Sequence, residues 1–299
     1  MENIITTLLN GLSAGGTYAM IALGYTMVYG IAKMLNFAHG DVIMVGGFTV
    51  AVFFNTYGIQ YLGPIFGPLV GLLLAVIICT VLGVTIERVA YRPLRGASPL
   101  AVLITAIGIS YMLQSLAQII FGSNGRKAYF FKLGNIELFG ISVETSTLIT
   151  VLCSAIIMIA LSLLVKYTKT GRAMIAVSED RGAAELMGIS VNKIIVITFA
   201  IGSALAAVAG FFMLWKVGSV NPTTGALPGI KAFAAAVIGG IGSLPGAMLG
   251  GLLMGIVEAF SNNYDATSPY TDAIVFAVLI IILLVRPLGL LGKKRREKV

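Results

Sequence analysis

The sequence predicts an all-α polytopic membrane protein of about eight transmembrane helices, with broken or re-entrant segments and a possible inverted repeat. Three observations carry that expectation. Of 299 residues, 58% are hydrophobic and only 11% are charged, with a mean hydropathy of +0.98, whereas a soluble domain carries roughly 25% charged residues. The apolar residues fall in long blocks, several of which reach the ~20 residues a spanning helix needs. The cations gather at block ends, as the positive-inside rule expects of cytoplasmic loops. The net charge of +8 therefore speaks of topology, since no basic patch interleaved with aromatics exists to bind nucleic acid.

Taken in order, the spans are read at 5–31, 41–57, 63–86, 99–121, 147–166, 192–216, 229–260 and 269–286. The first is far longer than the apolar core of a cleavable signal and lacks a basic leader, Glu2 being the sole charge before Lys33. Arg88, Arg92 and Arg95 mark 87–98 as cytoplasmic; Lys169, Arg172 and Arg181 do the same for 167–191. Lys293, Lys294, Arg295, Arg296 and Lys298 make 287–299 a basic cytoplasmic tail. Arg126, Lys127 and Lys132 argue for the same side at 122–146, but one span separates that loop from each of two more basic ones. Parity therefore places it outside, together with the N-terminus, in a multi-pass protein of the bacterial inner membrane.

Segment 229–260 is too long for one span and breaks at Gly239-Gly240-Ile241-Gly242-Ser243-Leu244-Pro245-Gly246. Two spans or a re-entrant pair meeting there satisfy parity. Irregular backbone at membrane depth survives only inside protein or along a polar cavity, so Gly242, Ser243 and Gly246 become candidates for a translocation pathway. A similar interruption at Asn36-Phe37-Ala38-His39-Gly40-Asp41 adds Asn36, His39 and Asp41. Ionisable groups are costly in the membrane; here they could gate a route or cap the broken helix near the cytoplasmic boundary. If the two breaks correspond, paired broken helices form an inverted repeat around a central route. Glycines four apart, as at Gly242, Gly246 and Gly250, at Gly251 and Gly255, and at Gly11 and Gly15, suit close helix packing in lipid. Glu258 reads as an exposed periplasmic-end carboxylate, and Trp215 and Lys216 as interface anchors.

Catalytic chemistry is nearly absent. No phosphate-binding Gly-x4-Gly-Lys-Ser/Thr motif occurs, so ATP is not hydrolysed by this chain. With one histidine and two isolated cysteines, Cys79 and Cys153, no metal-ligand spacing exists. Gly11-Leu12-Ser13-Ala14-Gly15 matches a nucleophile-elbow pattern but lies inside a helical span. No cofactor is expected.

The stretch Lys169–Ile189 is too apolar for an idle loop. Ser178 is read as an N-cap, Glu179 and Asp180 suit the positive end of a helix dipole, and Gly188 suits a stop. Ala183, Ala184 and Met187 are expected on one face of this short helix, which could lie in a partner's groove or pack on its own bundle. Ala183-Ala184-x3-Gly188 resembles the coupling loop of ABC importer permeases, with Gly182 where that pattern has an acid. Thr170-Gly171-Arg172-Ala173, Ala184-Glu185-Leu186-Met187-Gly188-Ile189, Ala22–Ile31 and Leu35–Asp41 resemble the LivH-type permease subunits of branched-chain amino-acid ABC importers. That resemblance covers about 10–290 and makes the chain one transmembrane permease domain over 1–299. It implies a second homologous permease, two ATPase subunits that bind the ATP, and a periplasmic substrate-binding protein. The residues expected to couple to the ATPases are then Ser178, Glu179, Asp180, Ala183, Ala184, Met187 and Gly188. Related permeases move urea or short amides. A secondary transporter could also use broken helices, but would not need the small-residue cytoplasmic helix.

Overall fold

The computed structural model describes residues 2–128, 134–138 and 141–292. The basic tail from Lys293 onward, and Lys132 in the loop 122–146, lie outside the described residues. The chain folds into α1 (Glu2–Ala32), α2 (His39–Phe53), α3 (Gly63–Ile86), α4 (Pro99–Phe121), the strands β1 (Arg126–Lys127), β2 (Asn135–Leu138) and β3 (Ile141–Glu144), then α5 (Thr145–Tyr167). There follow α6 (Lys169–Glu179), α7 (Arg181–Leu186), α8 (Val191–Val217), β4 (Ser219–Val220), α9 (Ala226–Gly239), α10 (Leu244–Asn262) and α11 (Thr271–Val285). Wider-pitched turns extend α2 over Phe54–Leu62, and Gly63 at φ +72° divides it from α3.

Among the described residues, six helical stretches are long and apolar enough to cross a membrane, one of them the 53-residue run His39–Tyr91 that holds both α2 and α3. The 31-residue α1 is long enough, at about 1.5 Å per residue, but less apolar. It is the central helix, buried along most of its length from Gly11 to Ala32. Over this stretch the helix is enclosed by protein and so can carry Ser13, Thr17 and Thr26, all buried. Large apolar side chains stand exposed on α3, α4, α5 and α11, among them Leu73, Ile119, Leu152 and Leu284.

The two ends of the bundle sort as charge parity requires. β1 pairs antiparallel with β4, and Asn55 donates to the Lys127 carbonyl at 2.6 Å, so 54–62, 122–128 and 218–220 share one end. At the other, Arg95 bonds Asn192 and Arg181 bonds the carbonyls of Ile31 and Ala32. The cationic loops 87–98 and 167–191 therefore share the second end, the basic end.

An inverted repeat organises the core. α1 lies against α9 and α10 as α8 lies against α2 and α3, while α4 flanks α2 as α11 flanks α9. Halves α1–α4 and α8–α11 thus match, with α5–α7 between them. α1 and α8 approach at Gly24 and Gly202, where a Cβ on Gly202 would sit 3.5 Å from the Gly24 Cα. Beside that crossing the N-termini of α2 and α9 meet. A Cβ on Gly40 would lie 2.6 Å from the Gly225 carbonyl oxygen, and one on Gly225 would strike the Gly40 carbonyl. The reciprocity marks the pseudo-twofold axis.

This pairing corrects the expected one. Asn36-x3-Gly40 corresponds to Asn221-x3-Gly225 before α9, and not to the Gly239–Gly246 break. The latter is the turn between α9 and α10, the counterpart of the α2–α3 turn. It lies at the basic end, where Leu290 and Leu291 donate to the carbonyls of Ile238 and Gly239 at 2.8 and 3.0 Å. The glycine rows serve packing on two faces of α10: Gly246 and Gly250 meet α9, and Gly251 and Gly255 meet α1.

Candidate functional site

The expected site residues fall at the meeting point of α2 and α9, in the turn at Gly242–Gly246 and in α6–α7, and a polar cavity opens at the hairpin end.

At the meeting point Asn36 and Asp41 are satisfied from distant helices, whereas the buried His39 Nε2 has no hydrogen-bond partner among the described residues. Asn36 is buried and its Oδ1 accepts from the Tyr91 hydroxyl at 3.0 Å. Asp41 sits in the first turn of α2, where a helix dipole favours an anion, and its Oδ1 accepts from Gln114 of α4 at 2.9 Å. His39 is buried edge-on against Tyr25, the ring centroids 4.8 Å apart, and its ring fills the notch at Gly24. These residues were expected near the cytoplasmic boundary; they lie instead beside the α1–α8 crossing. Chain 33–38 turns back into the bundle after α1, which carries α2's start inward. Asn36 and Asp41 do not cap α2, whose first residues have no side-chain cap.

The Gly242–Gly246 candidates form a turn. Ser243 caps α10 by accepting from the Gly246 amide at 3.2 Å, and Gly246 packs on Gly239. Gly242, at φ +95°, has open space where a Cβ would stand and lines a small cavity of about 80 Å³ with Thr26, Gly30 and Ser178.

The larger cavity, about 630 Å³, opens at the hairpin end between α1, α5, α8 and α10. Thr7, Asn10, Ser13 and Thr17 of α1 face it, opposite Lys216 and Met213 of α8 and Glu258 and Asn262 of α10. Glu258 is not the exposed carboxylate expected: its side chain is 17% exposed and its Oε1 receives Lys231 Nζ at 2.8 Å. Lys231, buried in α9, also reaches Asp272 Oδ1 at 2.6 Å. A lone ammonium inside an apolar helix is tolerable because two carboxylates from α10 and α11 converge on it. Lys216, exposed in the last turn of α8, lines this cavity, whereas Trp215 faces a separate apolar crevice with Pro68, Leu69 and Phe211. Lys231 was missed because its partners are 27 and 41 positions away; the signal was an unweighed charge inside the span read at 229–260.

The loop helix is two helices. α6 begins at Thr168, whose hydroxyl accepts from the Gly171 amide at 3.0 Å; α7 begins at Asp180, whose Oδ1 accepts from the Ala183 amide at 3.0 Å. Asp180 is the N-cap that was assigned to Ser178. Ser178 lies inside α6 with its hydroxyl on the Ile175 carbonyl at 2.7 Å, because Asp180 alone has the extended backbone (φ −150°) that a cap needs. Glu179 is the last residue of α6. Gly188 is the stop, at φ +79°, with its amide on the Glu185 carbonyl at 2.9 Å. The expected common face is divided: Ala184 is buried in the bundle, while Ala183 and Met187 face outward with Leu186, which is 90% exposed. Arg181 does not face solvent freely. It caps the carbonyl end of α1, and burial together with nearby Arg95 lowers its pKa.

Comparison with known proteins fits this architecture. Residues 7–284 match the model of the family described as branched-chain amino acid transport system / permease component. The chain is 43% identical to the high-affinity branched-chain amino acid transport system permease protein LivH of Escherichia coli K12, over 97% of this chain and 96% of that protein. It is 43% identical to the BraD permease protein of Pseudomonas aeruginosa (98% and 97% covered). It is 30% identical to a probable LivH permease of Methanocaldococcus jannaschii (91% and 88% covered). With a family match across nearly its whole length, the chain is a multi-pass membrane protein that belongs to the branched-chain amino-acid transport permease family.

Proposed function

We propose that this chain is the transmembrane permease subunit of an ATP-driven ABC importer that brings branched-chain amino acids across the cytoplasmic membrane. It holds no ATP itself; two ATPase subunits dock at the basic, cytoplasmic end. A second homologous permease completes the pathway, and a periplasmic binding protein delivers substrate to the hairpin end. The observation that carries this reading is full-length 43% identity to permeases named for that transport. The display of α7 beyond the bundle supports it: Leu186 and Met187 stand 90% and 82% exposed at the basic end. Burying a Leu or Met is worth about 1.5–3 kcal/mol, so two such side chains held in the open suit a partner's groove.

The geometry also offers a route for force. α7 is tied through Arg181 to the last carbonyls of α1, and α1 runs unbroken from there to the polar cavity. A push on α7 moves the helix that walls the cavity. The test is radiolabelled leucine uptake in cells coexpressing the chain with its ATPases and binding protein. Ala183→Arg and Leu186→Arg should insert normally yet lose ATPase copurification and at least 90% of uptake. Arg181→Gln should keep the ATPases bound but lower substrate-stimulated hydrolysis several-fold. Uptake that persists without any ATPase subunit would overturn the importer reading in favour of a secondary transporter.

A further inference from the structure

The cavity at the hairpin end carries more than a polar lining. We propose that it is a recognition site for a free zwitterionic amino acid, with Lys216 taking the α-carboxylate and Glu258 the α-ammonium group. The proposal rests on the import reading above and adds a place of binding inside this single subunit.

Two charges of opposite sign line the cavity, Lys216 exposed to it and Glu258 partly buried. Lys216 makes no hydrogen bond or ion pair among the described residues, yet it lies within electrostatic reach of Glu258 and Glu144. Glu258 Oε1 holds Lys231, Oε2 is closed off from water with no hydrogen-bond partner at normal distance, and the Tyr18 hydroxyl on the same cavity wall interacts with the carboxylate. An ammonium group supplies a further donor to the partly exposed Glu258 carboxylate, and a carboxylate supplies an ion-pair partner to the exposed Lys216. Phe212, Met213 and Val217 of α8 add apolar lining to the same cavity, which suits a hydrocarbon side chain. At about 630 Å³ the cavity falls within the ~300–1,000 Å³ usual for small-molecule sites.

Other ligand chemistries fit less well. An anion such as phosphate would meet Lys216 but also the carboxylates of Glu258 and Glu144. A simple cation would be repelled by Lys216. An uncharged polyol would use the hydroxyls and amides of Thr7, Asn10 and Ser13 and leave both charges unserved. Glu258 also anchors α9 through Lys231, so an occupant on Oε2 touches the residue that holds the re-entrant helix.

The experiment is equilibrium binding of tritiated L-leucine to the full chain in lipid nanodiscs without binding protein. Leucinamide, which lacks the carboxylate, and isocaproate, which lacks the ammonium group, serve as competitors. The unaltered chain should prefer leucine at least tenfold over both. Lys216→Gln should weaken leucine at least tenfold and erase its advantage over leucinamide while keeping that over isocaproate. Glu258→Gln should give the mirror result, and Lys216→Arg should restore most of the binding. No saturable leucine binding, unchanged binding by Lys216→Gln, or equal weakening of all three ligands by that variant would overturn the site. The import reading is tested apart from it, by leucine uptake through the assembled importer: uptake with an empty cavity removes this proposal alone, whereas binding without uptake supports the cavity and removes import.

Discussion

The two re-entrant starts, Asn36–Gly40 and Asn221–Gly225, share one frame and build it with different chemistry. Both place an asparagine four residues before a glycine, and the two glycines pack on each other's carbonyls. In the first half the turn is buried and borrows its partners: Asn36 takes Tyr91, and Asp41 takes Gln114. In the second half the turn is self-contained and more exposed. Asn221 Oδ1 accepts from the Thr223 amide and hydroxyl, each at 3.0 Å, and the Asn221 amide donates to Thr224 Oγ1 at 2.7 Å. The flanking ties differ in the same sense. α2 is tied to α4 by a carboxylate–amide bond, whereas α9 is tied to α10 and α11 by the Lys231 ion pairs.

The difference assigns unequal work to equal scaffolds. A network of ion pairs beside a water-accessible cavity can exchange partners; a single carboxylate–amide bond closed among helices holds one arrangement. The first half reads as frame and the second as the half that senses a ligand.

The largest effect should come where the halves are alike. Gly40→Val and Gly225→Val each drive a branched side chain into the opposing backbone. Neither glycine needs a special conformation, Gly225 having φ −82°, so the cost is steric and falls on rigid backbone. Overpacking costs about 1–3 kcal/mol where neighbours can shift, and here they are main chain on both sides. Both variants should fail to give a monodisperse peak in fluorescence-detected chromatography. Gly242→Leu is the control: its φ of +95° is strained for leucine, but the space is open, so it should fold with a penalty of about 1–2 kcal/mol. A well-folded Gly225→Val would show that the pseudo-twofold contact is not a real constraint.

Much of this frame was legible in the sequence, and the reasons it stopped being legible are physical. Hydropathy blocks gave the spans closely, as at 99–121, where Pro99 and Phe121 bound α4. Parity gave the ends. Long-range pairing gave nothing, because hydropathy has no memory of partners: Lys231 with Asp272 and Tyr91 with Asn36 are invisible until helices pack. Ser178 and Asp180 are both good capping residues, and only the backbone at Asp180 decides between them. The inverted repeat was matched through the more conspicuous glycine run at 239–246, although the Asn-x3-Gly frame at 221–225 was in plain view.

The next effect separates the halves. Lys231→Met leaves Glu258 and Asp272 without their cation, and a buried pair broken from one side costs about 3–5 kcal/mol. Asp272 is 53% exposed, so water should absorb part of that, and a loss near the lower figure, about 3 kcal/mol, is expected. Gln114→Leu removes one donor from Asp41, for about 1–3 kcal/mol. Thermal midpoints of the two variants in one detergent should fall in that order. The reverse order would mean that the Lys231 network is slack and the α2–α4 tie dominates.

The smallest effect tests the turns themselves. Tyr91→Phe deletes one hydroxyl and leaves Asn36 Oδ1 buried in the bundle. A buried acceptor stripped of its donor costs about 1–3 kcal/mol. Asn221→Ala removes two bonds of 3.0 Å, against one of 3.0 Å and a long one of 3.4 Å to the Leu35 carbonyl at Tyr91, yet its two lie at an exposed turn. Water replaces them there, so the cost should stay near the ~0.5–1 kcal/mol of a lost cap. Counting the 3.0 Å bonds predicts that Asn221→Ala is worse; weighing desolvation predicts that Tyr91→Phe is. If Asn221→Ala lowers the thermal midpoint more, the second turn is held as tightly as the first, and the division into frame and sensing half fails at its base.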